Sequence, residues 1–158
     1  FEPGSAGLVL CLGNTLPHLL SPETLRRALT GLGNLLAPTG AAVVQILNYD
    51  RILARQERIV SVDRDDEATF VRFYDFLPDG LVRFNLLRTT WQGRQGRPEA
   101  LISVLLRPYR RAELEEAAGL AGLELALCAG DAALSAYDAA SAETILLVLR
   151  RPAHRGPA

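Results

Sequence analysis

The chain has 158 residues, 17 basic against 18 acidic side chains for a net charge of −1, and a hydrophobic fraction of 49%. That length is one ordinary domain with a core of useful size. The near-neutral charge gives no electrostatic footprint for nucleic acid, and no apolar run approaches the roughly 18 residues of a membrane span. All 17 basic residues are arginine and methionine is absent. Phe1 already stands just before a strand-like segment, so the expectation is a fragment or the visible part of something longer. Cys11 and Cys128 lie far apart in apolar runs and read as buried free thiols, which fits a reducing cytoplasm. Two cysteines and two scattered histidines lack the spacing of a metal site.

In chain order, the first element is the uninterrupted apolar run over residues 8–12, bounded by Gly7 and Gly13. Such a run predicts a strand buried on both faces of a parallel sheet. The cluster Gly13-Asn14-Thr15-Leu16-Pro17-His18 then falls at a strand's carboxyl end, where open α/β sheets place ligands. Ser21-Pro22 predicts a helix start. Leu25, Ala28, Leu29, Leu32, Leu35 and Leu36 carry its apolar stripe, and Ala37-Pro38-Thr39-Gly40 ends it. Residues 41–47 predict a second buried strand joined by a right-handed crossover. Asn48-Tyr49-Asp50 follows at the level of Asn14, opening a short helix over 49–56 with Asp50 as its cap.

Residues 57–107 read differently. Segments 69–76, 81–91 and 100–106 predict three antiparallel strands, with 58–62 available as a fourth. Pro78-Asp79-Gly80 is a turn, residues 93–98 a loop, and Phe70, Phe73, Tyr74, Phe76, Phe84 and Trp91 the insert's own core. A helix over 110–121 and strands over 123–128 and 143–150 return to the main sheet. The domain spans 1–151, with 57–107 as its insert, and 152–158 is a disordered tail.

Two readings stand at each polar position. Gly13-Asn14 is a plain turn, or a turn whose bare backbone approaches a ligand. His18 is a loop histidine or a polar group at a pocket mouth. Asn48 and Tyr49 pack, or line a pocket with an amide and a hydroxyl.

The run Leu10-Cys-Leu-Gly-Asn-Thr-Leu-Pro-His-Leu19, with Asn48-Tyr49-Asp50, resembles class I S-adenosylmethionine-dependent methyltransferases. It is most similar to the glycine/sarcosine N-methyltransferase branch. The resemblance runs from Phe1 to about Arg151 and covers only the second half of that family's domain. It implies an α/β, Rossmann-like methyltransferase fold from the family's fourth strand onward, with an inserted antiparallel sheet of about three strands and an antiparallel last strand.

The resemblance also implies S-adenosylmethionine as cofactor, contacted by Leu12, Gly13 and His18. Asn14 and Tyr49 would be catalytic, and Asn14, Asn48 and Tyr49 would hold a small-molecule substrate. Leu47 stands where the family's glycine-specific members carry a carboxylate-binding arginine, which disfavours glycine. Arg72, Arg88 or Arg107 are the other candidates for a carboxylate. The glycine-rich turn and acidic residue of the family's first half have no counterpart here. The favoured activity is methyl transfer to a small-molecule acceptor, an amine nitrogen ahead of oxygen or carbon. The alternative is a truncated, non-catalytic module that binds a partner through its exposed sheet edge. The expected setting is cytoplasmic, without nucleic acid or membrane, and a homo-oligomer is left open.

Overall fold

The apolar run after Gly7 forms β1 (Ala6–Cys11) in the computed structural model, which describes residues 1–92 and 95–152. A 3-10 turn (Leu16–His18) leads to α1 (Pro22–Leu35). Ser21 caps α1 by a reciprocal pair: its hydroxyl accepts from the Thr24 N–H at 3.2 Å, and the Thr24 hydroxyl accepts from the Ser21 N–H at 3.3 Å. The strand that follows, β2 (Leu36–Leu47), starts directly at the helix end. The expected Pro/Gly stop over 37–40 is therefore absorbed into a strand rather than forming a loop.

Then come α2 (Tyr49–Arg55), β3 (Ile59–Arg64), β4 (Ala68–Phe76), β5 (Val82–Gln92), β6 (Gln95–Leu106), α3 (Arg111–Leu120), β7 (Glu124–Ala129) and β8 (Thr144–Arg150). The expected loop over 93–98 is mostly strand from Gln95 onward, while 93 and 94 lie outside the described residues. The expected tail falls outside them from 153 on.

The chain divides into two units, one of Phe1–Arg51 together with the chain from Tyr109 onward, the other of Ile52–Pro108. The first holds a mixed sheet in the order β1-β2-β8-β7. β1 and β2 run parallel, whereas β8 is antiparallel to both β2 and β7. The core follows strand periodicity: Ala42, Val44 and Ile46 of β2 pair with Leu149, Leu147 and Ile145 of β8, and all six are buried. Leu25 and Leu29 of α1 and Leu114 and Ala118 of α3 are buried with them, the apolar stripes of two helices lying side by side.

The other face of this sheet is open. Leu8 and Leu10 are each 58% exposed, which corrects the expectation that β1 is buried on both faces. Composition alone could not separate a central strand from this one, because a continuous apolar run fits any strand meant to be covered. Both cysteines are free and half-buried, and burial pushes each thiol above its ordinary pKa.

The second unit is an antiparallel sheet in the order β3-β4-β5-β6, so the optional fourth strand forms. Tyr74 and Phe84 face each other across β4 and β5 with ring centroids 5.9 Å apart. Asn85 is 2% exposed and is satisfied across three strands. Its amide donates to Asp75 at 2.9 Å, its carbonyl accepts from Ser103 at 2.6 Å, and Asp75 in turn accepts from Arg58 at 2.6 Å. Arg72 pairs with Asp63, and Arg88 with Glu99 at 2.6 Å. Those two candidate carboxylate binders thus already hold carboxylates of their own sheet.

The β1–β2 register slips from Ala6↔Leu36 to Leu8↔Ala41, so residues 37–40 bulge against Gly7 alone. Gly40 sits inside this bulge, and a Cβ there would lie 2.6 Å from the Ala6 carbonyl oxygen. Gly40→Ala is expected to cost about 1–3 kcal/mol, read as a lower urea midpoint at unchanged slope. An unchanged midpoint would mean that the bulge yields without strain.

Candidate functional site

The site is built at the carboxyl ends of β1 and β2. Gly13 and Asn14 both adopt left-handed backbone, at φ 71° and 61°. Glycine adopts this freely and asparagine better than most residues. Four hydrogen bonds hold the turn, three of them to β2 and one to Tyr49, the first residue of α2. The Gly13 N–H donates to the Gln45 side-chain Oε1 at 2.8 Å, and the Asn14 N–H to the Gln45 carbonyl at 3.3 Å. Asn14 Oδ1 accepts from the Leu47 N–H at 3.0 Å, while Asn14 Nδ2 donates to the Tyr49 hydroxyl at 2.9 Å. Thr15 closes the turn by donating to the Leu12 carbonyl at 2.6 Å. The space a Gly13 Cβ would fill is open, with no atom within 4 Å.

The structure therefore brings Asn14 and Tyr49, 35 residues apart in sequence, into direct contact. Tyr49 is fully buried. Leu12 is 46% exposed beside the turn, and His18 is exposed at the end of the 3-10 turn. Asn48 behaves differently from its neighbours. It has no exposed surface, and its Nδ2 donates to the Ala139 and Ala142 carbonyls at 3.1 and 2.9 Å. Its Oδ1 accepts from the Arg51 N–H at 3.3 Å, so Asn48 itself caps α2. Asp50, expected in that part, accepts instead from the Arg111 N–H at the start of α3, at 3.2 Å.

Tyr137, which no periodicity or motif singled out, completes this second layer. Its hydroxyl is shared between Asn48 Oδ1 at 2.9 Å and Asp50 Oδ2 at 3.1 Å, and the Arg111 guanidinium lies 5.4 Å from its ring centre. Burial first, then the Asp50 charge, pushes the Tyr137 phenol above its ordinary pKa. Gly130 and Asp131 shape the loop before Tyr137. The Gly130 N–H donates to Ser135 at 2.8 Å, and the Ser135 N–H donates to Asp131 at 3.0 Å. The Ser135 side chain and N–H hold the Asp131 carboxyl below its usual range. On the open face, a cavity of about 760 Å³ is lined by Leu10, Leu12, Gln45, Asp131, Glu143 and Thr144 among others. Tyr109, buried, reaches the Leu19 and Ser21 carbonyls at 2.5 and 2.9 Å and ties the 3-10 turn to α1.

No protein-family model matches the sequence, and no curated protein matches it either. Solved structures do. The methyltransferase CcbJ from Streptomyces caelestis superposes at TM-score 0.76 with 25% identity, over 92% of this chain and 61% of that one. An S-adenosylmethionine-dependent methyltransferase from Clostridium acetobutylicum gives 0.75 at 15% identity, over 92% and 58%. The fold is that of the S-adenosylmethionine-dependent methyltransferases. CalS10 from Micromonospora echinaspora, an amino pentose methyltransferase solved with S-adenosylmethionine bound, matches at 0.63 with 17% identity, over 95% and 61%. The chain thus spans 58–61% of the length of these methyltransferases.

Tyr137→Phe is expected to destabilise the chain by about 1–3 kcal/mol at neutral pH, since the buried Asn48 Oδ1 and the half-buried Asp50 carboxylate lose the donor they share. The stability tied to a phenol of raised pKa is complete below the ordinary value of about 10 and is lost as pH rises through the raised one. The phenylalanine variant therefore also loses that alkaline decline. Thermal melts across neutral and alkaline pH check both, and equal curves for the two proteins would refute the role.

Proposed function

We propose that this chain carries the acceptor-side part of a methyltransferase that moves a methyl group from S-adenosylmethionine to a small-molecule amine. The observation that carries the reading is the Asn14–Tyr49 contact at 2.9 Å, set at the adjoining carboxyl ends of two parallel strands. Strand ends of this kind are where α/β sheets bind ligands.

S-adenosylmethionine, when bound, supplies the electrophilic methyl group. The Leu12–Gly13 backbone suits it, because the open space at Gly13 lets a ligand approach the main chain closely. Asn14 uses one N–H and one oxygen lone pair on protein partners, and a carboxamide has a second of each. That remainder orients an acceptor nitrogen. Tyr49 keeps the amide from rotating, and His18 stands at the rim. A neutral amine needs no strong base before transfer, so alignment of nitrogen, carbon and sulfur is the protein's main contribution. Asn48 enters this reading as the anchor of the surrounding loops.

Leu47 removes the carboxylate grip expected of a glycine-specific enzyme of the resembling branch. An amine on a sugar or similar scaffold, as with the amino pentose acceptor of CalS10, fits the position better. The open face favours a second reading, a binding module. Leu8 and Leu10 are exposed along β1 and Leu12 just after it, and no strand lies on the outer edge of β1 among the described residues.

The test is calorimetric titration of the chain with S-adenosylhomocysteine, followed by incubation with S-adenosylmethionine and a panel of amino sugars. Saturable binding with Kd on the order of micromolar and transfer to an amine are expected. Tyr49→Phe is expected to slow transfer about tenfold while leaving the far-ultraviolet spectrum unchanged. A folded chain that neither binds nor transfers would overturn the catalytic reading and favour the binding module.

A further inference from the structure

We propose that Gln45 is a positioning residue: it holds the Gly13–Asn14 turn in the shape that binds the ligand, and through that turn sets affinity. The inference rests on the methyltransferase reading for the identity of the ligand, but not for the turn itself.

Of the three bonds that fix the turn to β2, two end on Gln45. Those to the Gln45 carbonyl and from the Leu47 N–H use strand backbone, which any residue at 45 or 47 supplies. The Asn14–Tyr49 bond lies beyond the turn. Only the Gly13 N–H to Gln45 Oε1 bond, at 2.8 Å, depends on which side chain stands at 45. Gly13 is also where the left-handed path begins, since Asn14 follows it at φ 61°. A non-glycine residue held left-handed needs its surroundings to specify that state.

Nothing else about β2 calls for glutamine. Its neighbours over 41–47 are Ala, Ala, Val, Val, Ile and Leu, and the inward face is Ala42, Val44 and Ile46. Gln45 alternates onto the opposite face, half-buried, where it lines the same cavity as Leu10 and Leu12. A carboxamide in that place spends an acceptor on the one N–H of the turn that no strand carbonyl takes.

Two variants separate positioning from packing. Gln45→Leu keeps the bulk and removes the acceptor, whereas Gln45→Glu keeps an acceptor oxygen. Amide hydrogen exchange by NMR at Gly13 is read beside exchange at Val43 and Val44, together with calorimetric titration with S-adenosylhomocysteine. In Gln45→Leu, Gly13 exchange is expected to rise and affinity to fall, each about fivefold, the worth of one hydrogen bond, with Val43 and Val44 unchanged. Gln45→Glu is expected to restore both. Unchanged Gly13 exchange in Gln45→Leu, or equal losses in the two variants, would overturn the proposal. If the unaltered chain does not bind S-adenosylhomocysteine, the methyltransferase reading fails, and so does the claim on affinity. Gly13 exchange then still decides whether Gln45 holds the turn.

Discussion

The Asn14 carboxamide joins the ends of two parallel strands. Parallel neighbours cannot share a tight hairpin, and the β1–β2 ladder ends at Cys11↔Val44, short of the carboxyl end of β2. Here one amide accepts from the last N–H of β2, at Leu47, and donates a hydrogen bond to the hydroxyl of Tyr49, the first residue of α2. The exit of β1, the exit of β2 and the start of α2 are therefore one object. Asn48, between these groups, turns the opposite way and binds the loop over 139–142, so adjacent residues serve opposite sides of the strand end.

Behind that amide lies a second polar layer of Asn48, Asp50, Arg111 and Tyr137. Each has at least one partner in the first unit: Asp50 accepts from both the α3 backbone and Tyr137, and Arg111 bonds Glu115 at 2.6 Å. Buried polar groups that satisfy one another rigidify a site, whereas a single orphan would weaken it. The second unit repeats the logic on a smaller scale, with buried Asn85 bridging Asp75 and Ser103 of the two neighbouring strands. In the first unit the polar network joins segments far apart in sequence, whereas in the second it joins neighbouring strands.

Much of this was legible in the residues. Ser21-Pro22 announced α1, and the apolar runs at 41–47 and 144–149 announced β2 and β8, because buried strands must be nearly continuous hydrocarbon. That Asn14 and Tyr49 lie at one level of the sheet followed from placing both at strand ends, whereas the hydrogen bond between them did not. What was not legible has physical causes. A polar residue inside a strand, such as Gln45, looks like noise until its partner N–H is known. Tyr137 sits among small residues in a loop without periodicity, so its reach to Asn48, 89 residues away, is purely tertiary. The exchange of capping parts between Asn48 and Asp50 is a two-residue difference at one helix end, a scale at which helix boundaries are soft.

The strand order β1-β2-β8-β7 carries a consequence in time. β8 follows the other described strands in chain order, yet it lies inside the sheet, between β2 and β7. Until residues 144–150 leave the ribosome, β2 has one unpaired edge and β7 has no partner strand at all. Every strand of the second unit lies within 59–106 and pairs only with its sequence neighbours, so that sheet has all its pieces earlier. Local pairings close first and distant ones wait on chain length. The unit encoded in the middle is thus free to fold ahead of the one that encloses it in sequence. The sheet of the first unit stays unfinished until β8 is made.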